Sequence, residues 1–244
     1  KTIRKPVLVA ELEGCSIHHL TDLLLHLAGS MAAFYFPDTL DDAASGATIR
    51  DLNNDGKPEF ILKRNFNGAF TVFTNTSTPG TISFGTNFSI TASLYGQINV
   101  ADFNLDGKMD LAWKSGFSND DVHIRLNTDT DGILTDTDFA TEVILSSDLF
   151  YYGGISIADI NGDDKPDIVA TDGDVGVFEN VFSGGAFDAS AFIPAYQYQG
   201  VGNSSTYPAV PGDLNGDHKP DLVLATANNT ISIFENINVH APVI

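Results

Sequence analysis

Four short acidic loops carry the residue types best suited to chemistry. They read DLNNDGKPE at 51–59, DFNLDGKMD at 102–110, DINGDDKPD at 159–167 and DLNGDHKPD at 213–221. We call them the first to fourth loops and number their positions one to nine. Each has Asp at position one, Asn at three, Asp at five, Lys at seven and an acid at nine. Oxygen ligands at alternate positions suit a hard cation, so the spacing predicts one calcium ion per loop, about four in all.

The predicted ligands follow from the spacing. Side chains at positions one, three and five would line a tight turn, position seven would offer its carbonyl with its lysine pointing outward, and position nine would add a carboxylate. The ligands are Asp51, Asn53, Asp55, Lys57, Glu59, Asp102, Asn104, Asp106, Lys108, Asp110, Asp159, Asn161, Asp163, Lys165, Asp167, Asp213, Asn215, Asp217, Lys219 and Asp221. Asp, Asn and Gly also form metal-free hairpin turns, but four copies in register favour the metal.

Strand-like segments must position these loops. One leads into each loop, a more apolar one leaves it, and a third ends near Asn75, Asn127, Asn180 or Asn236. A fourth follows after a variable stretch. Because the first Asp recurs at 51, 102, 159 and 213, the period of roughly 50–57 residues indicates a repeat architecture. We predict an all-β fold, a β-propeller built of four-stranded antiparallel blades.

The number of blades in the ring is left open by the sequence. Four repeats are visible, and the last unit stops after its third strand, while residues 34–36 could supply a fourth. The repeats form a small ring, part of a larger ring, or a ring that a homo-oligomer completes. Blades are predicted over 32–244. Residues 1–31 form a different leader with a short helix, either a fusion or tag remnant or a native arm packed on the sheets.

The loops resemble the FG-GAP/VCBS repeats of integrin-α-type β-propellers, which share the core Asp-x-Asn-x-Asp-Gly-x-x-Asp. The resemblance covers about 34–238 and includes the flanking strands and the later Asn. It implies calcium-binding blades. Two departures are visible: Asp164 and His218 stand at position six in place of Gly, and Glu59 stands at position nine in place of Asp.

Charge and composition exclude several classes of partner. The net charge of −20 argues against nucleic acid and acidic membranes, which bind basic patches. Twelve of the 32 acidic residues lie at positions one, five and nine of the loops, so the charge is not that of an acidic tail. With one Cys, no intrachain disulfide can form, and calcium is the alternative staple in calcium-rich compartments. No transmembrane segment is predicted. We therefore expect a secreted or cell-surface protein.

An aromatic repeat lies on the side opposite the loops. Its members are Tyr95, Trp113, Tyr151, Tyr152 and Tyr207. Aromatic side chains with polar tips suit a surface that binds a carbohydrate or a protein. The alternative interpretation is that the rings pack between blades.

Two functions remain open. The first is a calcium-stabilised extracellular binding or adhesion module that recognises a carbohydrate or protein partner. The second is the propeller portion of a secreted polysaccharide-active enzyme, a lyase or hydrolase. No catalytic residues are predicted, because the sequence shows no Ser/His/Asp or Cys/His arrangement in a recognisable motif. The absence of such a motif favours the binding module over the enzyme.

Overall fold

The computed structural model describes residues 44–64, 68–92, 95–115, 121–146, 154–172, 174–198, 208–226 and 230–237. The predicted leader 1–31 and the segment 34–36 lie outside these ranges. Within them the helices are two 3-10 turns, Asp136–Asp138 and Ala189–Ala191, and no helix there is long and apolar enough to cross a membrane.

Four antiparallel sheets follow one another along the chain, each with its strands in sequence order. The first sheet holds β1 (Ala44–Arg50), β2 (Glu59–Arg64), β3 (Ala69–Asn75) and β4 (Phe84–Thr91). The second holds β5 (Tyr95–Ala101), β6 (Asp110–Lys114), β7 (Val122–Arg125) and β8 (Val143–Leu145). The third holds β9 (Ile155–Ala158), β10 (Asp167–Asp172), β11 (Asp174–Asn180) and β12 (Phe192–Tyr198). The fourth holds β13 (Val210–Gly212), β14 (Asp221–Thr226) and β15 (Thr230–Phe234).

The all-β class and the repeated antiparallel unit are thus confirmed. The fourth sheet has three strands in the described residues, as predicted for a last unit that stops after its third strand. The sheets of the described ranges do not join into one closed sheet, and the propeller ring stays a prediction.

Hydrophobic cores lie between consecutive sheets. In chain order, the three cores contain Phe70 and Trp113, Ile124 and Ile168, and Val169 and Leu224. An inner sheet is therefore covered on both faces, and all five residues of β6 are buried. This explains why the strand that leaves each loop is a nearly continuous apolar run rather than an alternating one.

Neighbouring sheets also meet through their first strands. β1 contacts β5, β5 contacts β9, and β9 contacts β13. Thr48 Oγ1 donates to the Ile98 carbonyl at 2.8 Å, and Asn99 Nδ2 donates to the Ile155 carbonyl at 3.2 Å. In every sheet the acidic loop joins this first strand to the second, so the loops occupy the same end of each sheet.

Candidate metal centres

All four loops share one backbone shape with two residues in the left-handed region. Position four is Asn54, Leu105, Gly162 or Gly216, and position six is Gly56, Gly107, Asp164 or His218, with φ between 59° and 86°. Glycine adopts this region freely, whereas another L-residue loses about 1–2 kcal/mol. Each loop has one glycine for its two left-handed positions. The turn is therefore the same whether the glycine stands at position six, as in the first two loops, or at position four, as in the last two.

The side chains at positions one, three and five bend back onto the loop backbone. In all four loops the position-one carboxylate accepts the amide of position six at 2.8–3.0 Å. The position-three amide oxygen accepts the amide of position five at 2.9–3.2 Å. The position-five carboxylate accepts the amide of position seven at 2.8–3.1 Å. The side-chain oxygens that the sequence predicted as ligands thus fold over one turn.

The sequence predicts that the lysine at position seven points outward, whereas in three loops its ammonium turns back to the loop. Its ammonium lies beside the position-five carboxylate in three loops, at 3.7 Å for Lys57, 2.9 Å for Lys165 and 3.8 Å for Lys219. Opposite charges two residues apart in a tight turn are within easy reach of each other. Such partly exposed pairs contribute below about 1 kcal/mol.

The acid at position nine is buried and joins the loop to the third strand of its own sheet. Glu59, Asp110, Asp167 and Asp221 are at most 2% exposed. One oxygen accepts the amide of position two at 2.8–3.0 Å. The other accepts the amide of the Asn that follows or ends the third strand, at 2.8 Å from the three Asp residues and 3.4 Å from Glu59. Each oxygen keeps a further lone pair that a metal could use.

Burial makes these carboxylates costly to ionise. The pKa of Asp110 is raised to about 7, chiefly by burial and also by the carboxylates of Asp106 and Asp102, although two backbone amides act to lower it. Burial likewise raises the pKa of Asp167 to about 6 and shifts the pKa of Glu59 upward. A carboxylate that is charged, desolvated and close to other carboxylates is unfavourable, and a cation bound in the loop would offset this cost.

In the second, third and fourth sheets, this asparagine also bonds to the loop of the preceding sheet. Asn127 Nδ2 donates to the Leu52 carbonyl at 2.7 Å, and Asn180 Nδ2 donates to the Phe103 carbonyl at 2.9 Å. Asn236 Nδ2 repeats the bond to the carbonyl at position two of the third loop, at 2.8 Å. We call this bond the asparagine clasp. The sequence showed the recurring Asn, but its partner lies 75–77 residues away, so its role was missed.

The donors of these loops fit a hard divalent cation. Positions one, three, five and nine supply only carboxylate or amide oxygens, which calcium prefers. In the first loop Asp51 Oδ1 is buried and accepts no hydrogen bond, and a buried acceptor without a donor calls for an explanation such as an ion. No three His, Cys, Asp or Glu side chains of the described residues form a metal cluster. The position-nine carboxylates are turned toward backbone amides instead.

The predicted ligand-binding aromatics are only partly described. Tyr95 begins β5, but its side chain lies outside the described part of the structure, as do residues Tyr151, Tyr152 and Tyr207. Trp113 is 0% exposed. Its ring meets Phe70 edge-on at 5.6 Å and stacks on His123 at 5.5 Å. Because Trp113 is buried, the prediction that it contacts a ligand is wrong. The alternative interpretation, that the ring packs between sheets, applies to this residue.

A groove on the loop side was not anticipated. It has a volume of about 500 Å³ and lies between the end of β1 and the second and third loops. Its lining is mixed, with two cationic, three acidic and several apolar side chains. The charged residues are Arg50, Lys165, Asp102, Asp159 and Asp164. The volume is within the range of small-ligand sites. The sequence prediction placed the ligand on the opposite side, because it relied on the tyrosines and Trp113.

Comparison with known proteins supports the resemblance over part of the chain. A family model described as FG-GAP-like repeat matches residues 51–113. This stretch runs from the first loop through the second loop into β6. No curated protein matches the chain.

Proposed function

We propose that the chain is a calcium-stabilised binding module that works outside the cytosol on a carbohydrate or protein partner. Its four sheets are the blades of a β-propeller, and each loop holds one calcium ion. The observation that carries this proposal is the fourfold recurrence of one loop geometry, with the same two left-handed positions and the same inward oxygens. The FG-GAP-like match at the first two loops adds support for a binding or adhesion repeat.

A calcium ion in a loop would stabilise the contact between two neighbouring sheets. Position nine is tied to the third strand of its own sheet, and position two accepts the clasp of the next sheet. An ion that fixes one loop therefore stiffens two sheets. Free calcium at a hundred times its dissociation constant stabilises a fold by about 2.7 kcal/mol per site. Four independent sites would contribute on the order of 11 kcal/mol, close to the whole stability of a typical domain.

Calorimetric titration of the chelator-stripped protein tests the metal. Asp106→Asn removes one charge from the second loop but keeps an oxygen for the Lys108 amide. We expect the wild type to bind about four calcium ions and the variant to lose one site. Asp136→Asn is the matched control, because it removes a charge from an exposed 3-10 turn. A wild type that binds no calcium, or an Asp106→Asn titration identical to that of the wild type, would reject the proposal.

The partner requires a separate test. A glycan array and a pull-down from extracellular proteins, both in calcium, would show which class is bound. Arg50→Ala then probes the loop-side groove, and Tyr152→Ala probes the tyrosines that the sequence indicated. Lost binding with unchanged melting identifies the contacting side. Turnover of a polysaccharide by the purified chain would instead support the enzyme hypothesis.

A further inference from the structure

The first loop makes more bonds to the sheet that follows it than the other loops do. The clasp holds its carbonyl at position two. In addition, Asn53 Nδ2 donates to the Gly132 carbonyl at 3.1 Å, and Asn54 Nδ2 donates to the Gly107 carbonyl at 3.1 Å. Within the described ranges, the second and third loops are hydrogen-bonded to the sheet that follows by the clasp alone. The first and second loops are therefore joined in a way that the other neighbouring loops are not.

A turn of the second sheet makes the first of these two additional bonds. It spans residues Asn127–Gly132, and we call it the bridging turn. Asp129 in this turn is 7% exposed, and its carboxylate accepts two backbone amides of the turn at 3.1 Å, that of Gly132 among them. The residue at the same distance from the clasp asparagine is Ser77 in the first sheet and Phe182 in the third. Buried carboxylates are tolerated where they are hydrogen-bonded, and here those bonds fix the shape of the turn.

A continuous chain of hydrogen bonds runs through the bridging turn from the second loop to the first. Asp110, at position nine of the second loop, accepts the Asn127 amide at 2.8 Å. The Asn127 side-chain oxygen accepts the Asp129 amide at 3.0 Å, and the Asp129 carboxylate accepts the Gly132 amide. The Gly132 carbonyl then accepts Asn53. Both ends of the chain, Asp110 and Asn53, are predicted metal ligands.

A second and shorter connection runs through one peptide group. Asn54 holds the carbonyl oxygen of the peptide between Gly107 and Lys108. The N–H of that peptide donates to Asp106 Oδ1 at 2.9 Å, and Asp106 is the predicted ligand at position five of the second loop. Because a peptide group is planar, a bond that fixes its carbonyl also fixes the direction of its N–H. Asparagine suits position four, where φ is 59°, because it tolerates the left-handed region.

We propose that these two connections couple the first and second ion sites, so that an ion in one loop raises the affinity of the other. Asp129 and Asn54 are the positioning residues. Neither is a predicted ligand, and each acts through a residue that is. Elsewhere the clasp ends at position two, which supplies no ligand, so the remaining neighbours bind their ions independently. This inference rests on the proposed calcium sites and adds that the four sites are not equivalent.

The coupling has a physical origin in the order that one ion imposes on both loops. An ion in the second loop fixes Asp110 and Asp106, where the two connections begin, so Asn53 is held in place before the first loop binds. The second binding event then loses less conformational entropy. Both bonds between the loops are exposed, so we expect about a fivefold effect on affinity, at the lower end for coupled sites.

Calorimetric calcium titration of three single variants tests the coupling. Asp106→Asn removes the second site, and one of the three remaining sites should bind about fivefold more weakly. Asp55→Asn removes the first site and should weaken one remaining site by the same factor, because coupling between two binding sites is reciprocal. Asp217→Asn is the matched control. It changes the same position of the fourth loop, so the three remaining sites should keep their wild-type affinities.

Asn54→Gly tests one positioning residue without disturbing the turn. Glycine stands at position four in the third and fourth loops, so the variant should lose only the bond to Gly107. In this background, the effect of Asp106→Asn on the other sites should fall below fivefold. Leu105→Gly makes the same change at position four of the second loop, where the side chain cannot form such a bond, and should leave the effect intact. Asp129→Ala should also reduce it, and melting in chelator reports separately whether that variant is folded.

The outcomes separate the coupling from the metal. If the remaining sites have the same affinities in Asp106→Asn and Asp217→Asn, the coupling is wrong while the calcium sites stand. Different factors for Asp106→Asn and Asp55→Asn also overturn it, since reciprocity forbids them. An effect of Asp106→Asn that persists in folded Asn54→Gly/Asp129→Ala protein refutes the two positioning residues. A wild type that binds no calcium rejects the proposed function and the coupling together.

Discussion

Asn127→Ala tests the asparagine clasp most sharply, because the chain contains its own control. Asn127 is 1% exposed. Its side-chain amide donates to the Leu52 carbonyl at 2.7 Å and to the Met109 carbonyl at 3.2 Å. Its side-chain oxygen accepts the buried Asp129 amide at 3.0 Å. Alanine would keep the backbone bond to the position-nine carboxylate but remove all three side-chain bonds.

Asn75 occupies the same position in the first sheet and makes the same bonds within its own unit. Its amide donates to the Pro58 carbonyl at 2.8 Å, and its oxygen accepts the Ser77 amide at 2.9 Å. It differs from Asn127 by having no bond across to a neighbouring sheet in the described residues, and it is only half-buried. The two alanine variants therefore differ mainly by the inter-sheet bond and its burial.

The expected magnitudes follow from burial. A buried polar group left without a partner costs about 1–3 kcal/mol. Asn127→Ala leaves the Leu52 carbonyl and the Asp129 amide in this state, so we expect a loss of about 2–4 kcal/mol in the free energy of unfolding. At Asn75, water can replace the exposed bond, and we expect about 1 kcal/mol or less. The difference is a large fraction of a typical stability of about 5–15 kcal/mol.

Urea unfolding in calcium provides the assay. The single tryptophan, Trp113, lies in the core between the first and second sheets, which the Asn127 clasp joins, so its fluorescence reports the relevant contact. Far-ultraviolet circular dichroism follows the whole chain. Equal losses for Asn127→Ala and Asn75→Ala would refute the idea that the clasp stabilises the stacking of sheets.

Three further predictions follow from the described geometry. In excess chelator, the free energy of unfolding should fall as pH rises from about 4 to about 7, because burial raises the folded pKa of Asp110 from an ordinary 3.8 to about 7. Asp110→Asn should flatten that slope in urea titrations, and an unchanged slope would contradict the assignment. Gly107→Ala should cost about 1–2 kcal/mol because its φ is +86° with open space around it, whereas Gly212→Ala, also in open space but without positive φ, should be neutral or stabilising. Trp113→Ala should cost about 3–5 kcal/mol and lower the melting temperature, and a loss of ligand binding at unchanged melting would contradict its core placement.

Local patterns predicted most of the fold. The four acidic loops, their flanking strands and the short last unit are all local in sequence, and turn chemistry with apolar runs is enough to place them. The shift of glycine from Gly56 and Gly107 to Gly162 and Gly216 looked like a departure from the motif. The backbone explains it, since positions four and six are both left-handed and either can carry the glycine.

Contacts between repeats were harder to predict. The clasp joins residues 75–77 positions apart, and spacing alone names no partner for the recurring asparagine. The ninth acid is visible in the sequence, but its two buried amide partners come from different elements. Trp113 is of a residue type that is common on binding surfaces. Its burial follows only from the sheets that stack on both faces of β6.

Thermal unfolding in calcium and in excess chelator tests the central claim most directly. The claim is that each loop binds a calcium ion that stabilises its sheet, because the ion offsets the cost of burying the position-nine carboxylate near the other carboxylates of the loop. The account predicts that chelation lowers the melting temperature sharply, that added calcium restores it, and that equal magnesium restores much less because it demands near-ideal octahedral geometry. An identical melting temperature in calcium and in chelator would contradict it.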